Sequence, residues 1–366
     1  MTSLILDSLE IHNFRGFEHL TIDRLARVNL IVGKNNIGKS NLLMALQLYA
    51  RRASSPTFIW EILDTRGEIK RPFVNVEDML AVLKYLFYGR KEIRPGLEPI
   101  RIGSMNTAHK TFSILINWSI SQTITDQEGK VSIQTRPLQS GEGYALDLLI
   151  PFISIQVEGT ALNYPIDPSL PRGILRLNAK EITSAFVAAN GLQDASVLWD
   201  NIALTSQEKD VLAALRLIAP GIEGINFVHN PLIGKREPIV RIAGIDEPVP
   251  LNNLGDGMQR MLGIALALVN ARNGLLLIDE IENGLHYLVQ PDLWKLIFHT
   301  ARRLNVQVFA TTHSWDCIEG FQQASQAVGN GDGLLIRLES KQEGIKATLF
   351  DERRLGIAAR EQIEVR

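Results

Sequence analysis

Gly33-Lys34-Asn35-Asn36-Ile37-Gly38-Lys39-Ser40 matches G-x-x-x-x-G-K-[ST] at every defined position. The residues around it fit the same reading. Val28 to Val32 is a short apolar run suited to a buried strand, and Asn41 to Leu48 reads as the helix that follows. Glycines at both ends of the loop let backbone N–H groups turn inward, and the helix start adds partial positive charge, so the stretch forms a cradle for phosphate. Lys39 is expected to reach the β- and γ-phosphate oxygens, and the Ser40 hydroxyl to take one position on Mg²⁺. Gly33, Lys34, Asn35, Asn36, Ile37, Gly38, Lys39, Ser40 and Asn41 are therefore the first nucleotide-binding candidates, with ATP and Mg²⁺ as the expected cofactors.

A second stretch far along the chain, Leu275-Leu276-Leu277-Ile278-Asp279-Glu280, supplies the chemistry. Its unbroken apolar run suits a central strand of a parallel sheet, covered on both faces. Asp279 at its end is the candidate to hold Mg²⁺ together with Ser40. Glu280 is the candidate to orient and deprotonate a water for in-line attack on the γ-phosphate. Two solvated acids at a strand end are the bland alternative, which the phosphate loop makes hard to sustain.

Two further segments lie around that strand. Leu254-Gly255-Asp256-Gly257-Met258-Gln259-Arg260 precedes an Ala/Leu-rich helix running to about Val269, and reads as a Gly-rich helix N-terminus aimed at an anion. Downstream, Val306 to Ser314 is another buried strand, ending in His313. A lone histidine at a strand end is usually structural. Its place in the order of Gly-rich helix start, acidic strand and His strand makes it a catalytic candidate here.

That order resembles the head of ABC-type ATPases. The chain is most similar to the RecF/SMC-like group, and within it to the ATPase module of the OLD (overcoming lysogenization defect) family. The resemblance is carried by Leu9 to Phe17, the phosphate loop, Leu254 to Arg260, Ile278 to His286 and Thr311 to Ser314. It implies a nucleotide shared between two subunits. Lys39, Ser40, Asp279, Glu280 and His313 act from one subunit, while Gly257 and its helix N-terminus cap the γ-phosphate from the other, with backbone dipoles and Arg260 left to stabilise charge there. His313 would sense that phosphate and steady the attacked water, and Asn283 and His286 would fall in the loop that crosses between subunits, a plain turn role being the alternative for both. Arg15 would lie near the nucleotide, a surface arginine being the alternative.

The chain departs from the ABC pattern in two places. Gly255 stands where the signature usually offers a serine hydroxyl, and no glutamine occurs between Gln47 and Gln122 to serve as the usual Q-loop. Slow or partner-dependent hydrolysis is the expectation.

The 366 residues suffice for one such head with an inserted subdomain. A formal charge of −2 offers no global attraction to nucleic acid, so any DNA contact needs a local patch. Arg51-Arg52 with Arg66, Lys70 and Arg71 is one candidate, Arg90-Lys91 with Arg94 another; solvated helix ends are the alternative for both. Cys317 is the sole cysteine, which rules out an internal disulfide and a Cys-based zinc site. No apolar run approaches the ~18 residues of a membrane span, so a cytoplasmic protein without membrane partners is expected.

The expected fold is α/β: a P-loop, ABC-ATPase-like head with a β-rich lobe, a small helical insertion and no long coiled coil. Residues 1–50 and 245–325 form the nucleotide-binding core of a single head covering 1–366, 51–200 a β-rich lobe with a helical insert, 201–244 a helical insertion, and 326–366 C-terminal strands and a helix. Within the lobe, Val76–Phe87 reads as an amphipathic helix, and Ile100–Ile124, Val131–Thr135, Ala145–Val157 and Ile174–Leu177 as strands. Thr205-Ser206-Gln207-Glu208 reads as a capping box. OLD enzymes continue into a Toprim nuclease domain for which this sequence has no room. The resemblance thus implies an ATP-driven switch, assembling as a homodimer or larger homo-oligomer through shared ATP sites. It would control a separate effector such as a Toprim-type nuclease in antiphage defence or DNA repair. The alternative is a RecF-like repair factor whose ATP-bound dimer itself grips duplex DNA.

Overall fold

In the computed structural model, residues 4–52, 57–107, 110–125, 131–139, 148–170, 181–192, 195–232, 234–329 and 331–360 are described. Strands β1 (Leu9–Phe14), β2 (Phe17–Ile22) and β3 (Val28–Val32) precede the phosphate loop, and helix α1 (Lys39–Ala50) follows it. Helices α2 (Thr57–Thr65) and α3 (Val76–Leu83) come next, then β4 (Ile100–Gly103), β5 (Thr111–Thr125), β6 (Val131–Pro137), β7 (Leu149–Val157) and β8 (Thr160–Pro165). After β9 (Ser184–Val187), α4 (Ala195–Asp200) and α5 (Glu208–Arg216), the chain forms β10 (Ile222–Asn230), β11 (Lys235–Ile242) and β12 (Val249–Pro250). The last third alternates: α6 (Asp256–Asn270), β13 (Leu275–Ile278), α7 (Gln290–Leu304), β14 (Gln307–Thr311), α8 (Trp315–Val328), β15 (Gly333–Lys341), β16 (Gly344–Phe350) and α9 (Glu352–Arg360).

The unbroken apolar runs behave as expected of strands covered on both faces. A six-stranded sheet runs β16-β15-β3-β14-β13-β9, parallel throughout except for β16. Side chains alternate across it. Leu275, Leu277 and Phe309 pack with Leu43 and Leu46 of α1 and with the β lobe. Leu276, Ile278, Val308 and Ala310 pack with Ile264 of α6, Leu293 of α7 and Phe321 of α8. Every residue of β13 is fully buried, each large side chain contributing about 1.5–3 kcal/mol of transfer free energy. The second, antiparallel sheet runs β2-β1-β4-β5-β7-β8, with β6 paired to β5. The fold is α/β as expected, and the longest helices among the described residues have 15 residues, so no long coiled coil is present there.

Several boundaries differ from the sequence reading. Ser184–Val187, assigned to the lobe, is the edge strand of the parallel sheet beside β13; four residues are too few to reveal their sheet. Conversely, β1 and β2, assigned to the core, belong to the lobe sheet. The supposed helical insertion at 201–244 holds one helix and then the β10–β11 hairpin, whose alternation Gly224 and Pro238 obscure. The C-terminal strands are part of the core, β15 pairing directly with β3. The helix from Val76 ends at Leu83 and tightens into a 3₁₀ turn over Lys84–Leu86. The capping pattern at Thr205 is displaced: Thr205 Oγ1 accepts from the Gln207 N–H, and the Glu208 carboxylate accepts from the Leu204 N–H. The strand read at Ile174–Leu177 lies outside the described residues.

Candidate functional site: a polar cleft at the carboxyl ends of three parallel strands

Strands β3, β14 and β13 are neighbours, and the chemistry-bearing residues follow their carboxyl ends. This is where parallel α/β sheets place ligands. The phosphate loop leaves β3, Thr311-Thr312-His313 ends β14, and Asp279-Glu280 ends β13. Between them lies a cleft of about 540 Å³ lined by Asn35, Asn36, Gly38, Lys39, Ser40, Asn41, Arg66, Glu280 and His313.

Gly38 caps α1 at φ 107°, and a Cβ there would stand 3.0 Å from the Phe17 ring; only glycine satisfies both the backbone and the space. Lys39 is buried, and its Nζ donates to the carbonyls of Gly33 (2.7 Å) and Lys34 (3.0 Å). Burial lowers the pKa of this ammonium, while Asp279, Glu280 and Glu282 oppose the shift. Ile37 takes another course: its side chain packs against the hydrophobic core, and its backbone N–H donates to the Lys34 carbonyl at 3.3 Å.

The acids form a connected network. Ser40 Oγ donates to Asp279 Oδ2 at 3.0 Å, and Thr311 Oγ1 donates to Asp279 Oδ1 at 2.6 Å. The same Thr311 oxygen accepts the Glu280 N–H at 2.8 Å. Glu280 sits at φ 49°, a left-handed conformation that costs a non-glycine residue about 1–3 kcal/mol and persists where neighbours hold it. Asn283 Nδ2 is one such neighbour, donating to Glu280 Oε2 at 2.8 Å and to the Ala189 carbonyl at 3.2 Å. On the other side, His313 Nε2 lies 3.4 Å from Glu280 Oε1, while the His313 N–H donates to Glu282 Oε1 at 2.7 Å. Ser40 and Asp279 thus offer hard oxygen donors side by side, a set suited to Mg²⁺. Glu280 and His313 line the same cleft side by side.

Thr311, Asn283 and Glu282 fall in segments that carry the resemblance, which gives Asn283 a place at the subunit seam, but the contacts all three make to the acids and to His313 are visible only in the structure. Arg66 was misread. Set in a basic-patch candidate by sequence, it instead lines the phosphate-loop cleft. Its side chain remains open to solvent, yet desolvation by the surrounding chain, then the neighbouring Arg15, lowers its pKa, with Glu68 and Asp279 opposing. A cation held against another cation favours an anion beside it. The rest of that patch is dispersed. Arg51 pairs with Glu61, Arg71 with Asp78, and Arg52 is buried, bonding the Tyr49 carbonyl and facing Glu158.

Arg15 is near the cleft but committed: both terminal nitrogens donate to the Glu68 carboxylate at 2.8 Å, its side chain only 7% exposed. It buttresses the segment carrying Arg66 and does not line the cleft.

The Gly-rich start of α6 opens elsewhere, onto a separate cavity of about 400 Å³ bordered by Asn252, Asp256, Gln259, Asn283 and Gly284. Gly257 abuts the loop after β13, where a Cβ would approach the Gly284 carbonyl to 2.6 Å. Its lack of a side chain is therefore already required within the subunit. Arg260 corrects the sequence expectation. It is buried, and its guanidinium donates to the carbonyls of Ala188, Asp279 (2.6 Å) and Glu280 (2.8 Å). One turn into α6, its side chain points back beneath the acidic loop and clamps the end of β13, its terminal nitrogens committed to backbone carbonyls, although the residue also borders the same cavity.

Comparison with known proteins points to ATPase domains. Residues 5–123 match the model described as "AAA ATPase domain", and residues 224–316 match "AAA domain, putative AbiEii toxin, Type IV TA system". An ATP/GTP phosphatase from Helicobacter pylori is 26% identical over 346 residues, spanning 87% of this chain and 88% of that protein. ABC transporter I family member 20 of Arabidopsis thaliana is 26% identical over 117 residues, 32% of this chain and 35% of its own. Among solved structures, an SMC head bound to the C-terminal winged-helix domain of ScpA superposes with a TM-score of 0.51 at 12% identity, covering 94% of this chain and 98% of that one. That likeness establishes the fold. With the phosphate loop and the paired acids, the ATPase-domain matches support an ATPase of the P-loop, AAA/ABC type.

Proposed function

We propose that the chain is an ATP-hydrolysing assembly switch of the OLD type, one head spanning 1–366 whose nucleotide site is completed by a second copy. The observation that carries this reading is a division of labour. The cleft holds the phosphate loop, Ser40, Asp279, Glu280 and His313, whereas the Gly-rich start of α6 faces a different cavity. Within one subunit nothing in that helix start lines the phosphate cleft, so a second subunit's Gly257 is the natural cap for a γ-phosphate.

In this reading the backbone N–H groups of residues 33–41 surround the triphosphate. Lys39 exchanges its two carbonyl partners for phosphate oxygens, and Arg66 adds positive charge at the rim. Ser40 and Asp279 hold Mg²⁺, which when bound neutralises charge on the phosphates. Glu280 takes a proton from the attacking water as its oxygen bonds the γ-phosphorus and the bond to the ADP oxygen breaks. His313, 3.4 Å from Glu280, steadies that water. Thr311 and Asn283 keep the acid in position. Without a signature serine or a Q-loop glutamine, turnover by the isolated protein is slow, and a separate effector, such as a Toprim-type nuclease, reads the ATP-bound assembly. The match to a domain described with the AbiEii toxin supports a setting in antiphage defence over one in DNA repair; both leave open a cytoplasmic location. Among the described residues, no helix is long and apolar enough to cross a membrane.

Light scattering of Glu280→Gln with and without Mg-ATP tests the proposal. A doubled mass that appears only with ATP is expected. A mass indifferent to nucleotide overturns the switch.

A further inference from the structure

Away from the cleft, on the solvent side of the lobe sheet, β1 and β2 bring two imidazoles and a carboxylate to one point. His12 and His19 are directly opposed across the strand pair, and Glu10 lies two residues from His12 on the same face of β1. The two rings stack at 3.9 Å between centroids, 13° from parallel. Both Nε2 atoms lie beside one oxygen, Glu10 Oε1, at 3.0 and 2.9 Å. The three side chains are 33–48% exposed, so a further position is open to water. Beneath them Leu9, Ile11, Leu20 and Ile22 are buried, which fixes the backbone register that makes the cluster.

From this geometry we infer a binding site for a divalent transition-metal ion of the Zn²⁺ class, held by Glu10, His12 and His19 and stapling β1 to β2. Ligands of a tetrahedral Zn²⁺ at about 2.0–2.2 Å lie about 3.3 Å apart. The observed separations therefore need widening by a few tenths of an ångström, with the exposed His19 ring tilting so that its lone pair converges. Imidazole nitrogen selects Zn²⁺, Co²⁺, Ni²⁺ or Cu²⁺ over Mg²⁺ and Ca²⁺, so the site is chemically distinct from the Ser40–Asp279 pair. Arg101 is the register partner of His12 on β4, a neighbouring cation whose charge opposes metal binding. The same hairpin ends in the turn bearing Arg15, whose partner Glu68 neighbours Arg66, and Phe17 packs on Gly38. A metal staple there would stiffen the strand pair behind the nucleotide loop.

The test compares metal-stripped full-length protein with His12→Thr/His19→Thr, titrated with Zn²⁺ by calorimetry and with Co²⁺ by visible absorption. Both proteins carry the same nucleotide site, so metal bound there cancels. Wild type should bind one additional Zn²⁺, with affinity at this site falling at least about 100-fold in the variant. Zn²⁺ should also raise the melting temperature of wild type alone. Glu10→Gln, which keeps the shape and a hydrogen-bond acceptor, should weaken Zn²⁺ binding at least about tenfold and serves if the double variant fails to fold. Equal stoichiometry and affinity in wild type and in a folded variant would overturn the assignment.

Discussion

Replacing Arg260 with methionine separates two roles that the sequence alone left together. If the guanidinium met a phosphate on a second subunit, its loss would spare the monomer and abolish ATP-dependent assembly. The structure assigns it to three backbone carbonyls, those of Ala188, Asp279 and Glu280, with the side chain buried. Each bond from a charged donor is worth about 1.5–3 kcal/mol, a nominal total of about 5–9 kcal/mol. The neighbouring cavity of about 400 Å³ can admit water to the orphaned carbonyls, which reduces the loss. A destabilisation of about 3–5 kcal/mol is the resulting expectation for Arg260→Met, comparable to breaking a buried charged contact. That is a large part of a typical domain's total stability. The assay is the urea unfolding midpoint of the nucleotide-free protein, with Gln259→Ala, an exposed neighbour on the same helix, as control. Turnover should fall as well, because the carbonyls that set the Asp279 and Glu280 backbone are released. An Arg260→Met protein with the wild-type midpoint but no ATP-dependent assembly would refute the clamp and restore the phosphate role.

Thr311→Val deletes the 2.6 Å bond to Asp279 and leaves the Glu280 N–H without its acceptor. Mg²⁺ affinity should fall about 10- to 100-fold in a nucleotide-dependent metal titration, and turnover with it; an unchanged Mg²⁺ dependence would count against the network. Arg66→Ala should weaken ATP binding about tenfold, consistent with one lost charge-assisted contact. ADP affinity measured alongside would report how much of that contact is made to the terminal phosphate.

Much of the site was legible because its chemistry is local. A phosphate loop is eight consecutive residues whose backbone does the work, and the acidic pair needs only an apolar strand to carry it. His313 needed the order of segments as well. The contacts that were missed have a common cause. Thr311 is one polar residue at the end of an apolar strand, Asn283 and Glu282 are ordinary turn residues, and Arg66 sits in a stretch whose charges suggested a surface. Most of these contacts join distant parts of the chain: Thr311 and Asp279 are 32 residues apart, and Asn283, only three residues from Glu280, also reaches the Ala189 carbonyl 94 residues away; the predicted Ser40–Asp279 pair spans 239.

Arg260 is the complementary error. Its place one turn into a Gly-rich helix start matched an anion-facing signature, and nothing local indicated that the side chain turns beneath the acidic loop. That direction depends on how α6 packs against β13 and the segment ending β9, which is a property of three elements together. The sequence by itself determined the parallel core, the phosphate loop and the acids, because hydrophobic periodicity and contiguous motifs are carried by neighbouring residues. Only the tertiary structure decided which polar side chains hold those acids, where Arg66 and Arg260 point, and that Glu10, His12 and His19 meet. Strand register and helix packing set those contacts, and both arise between segments that are far apart along the chain.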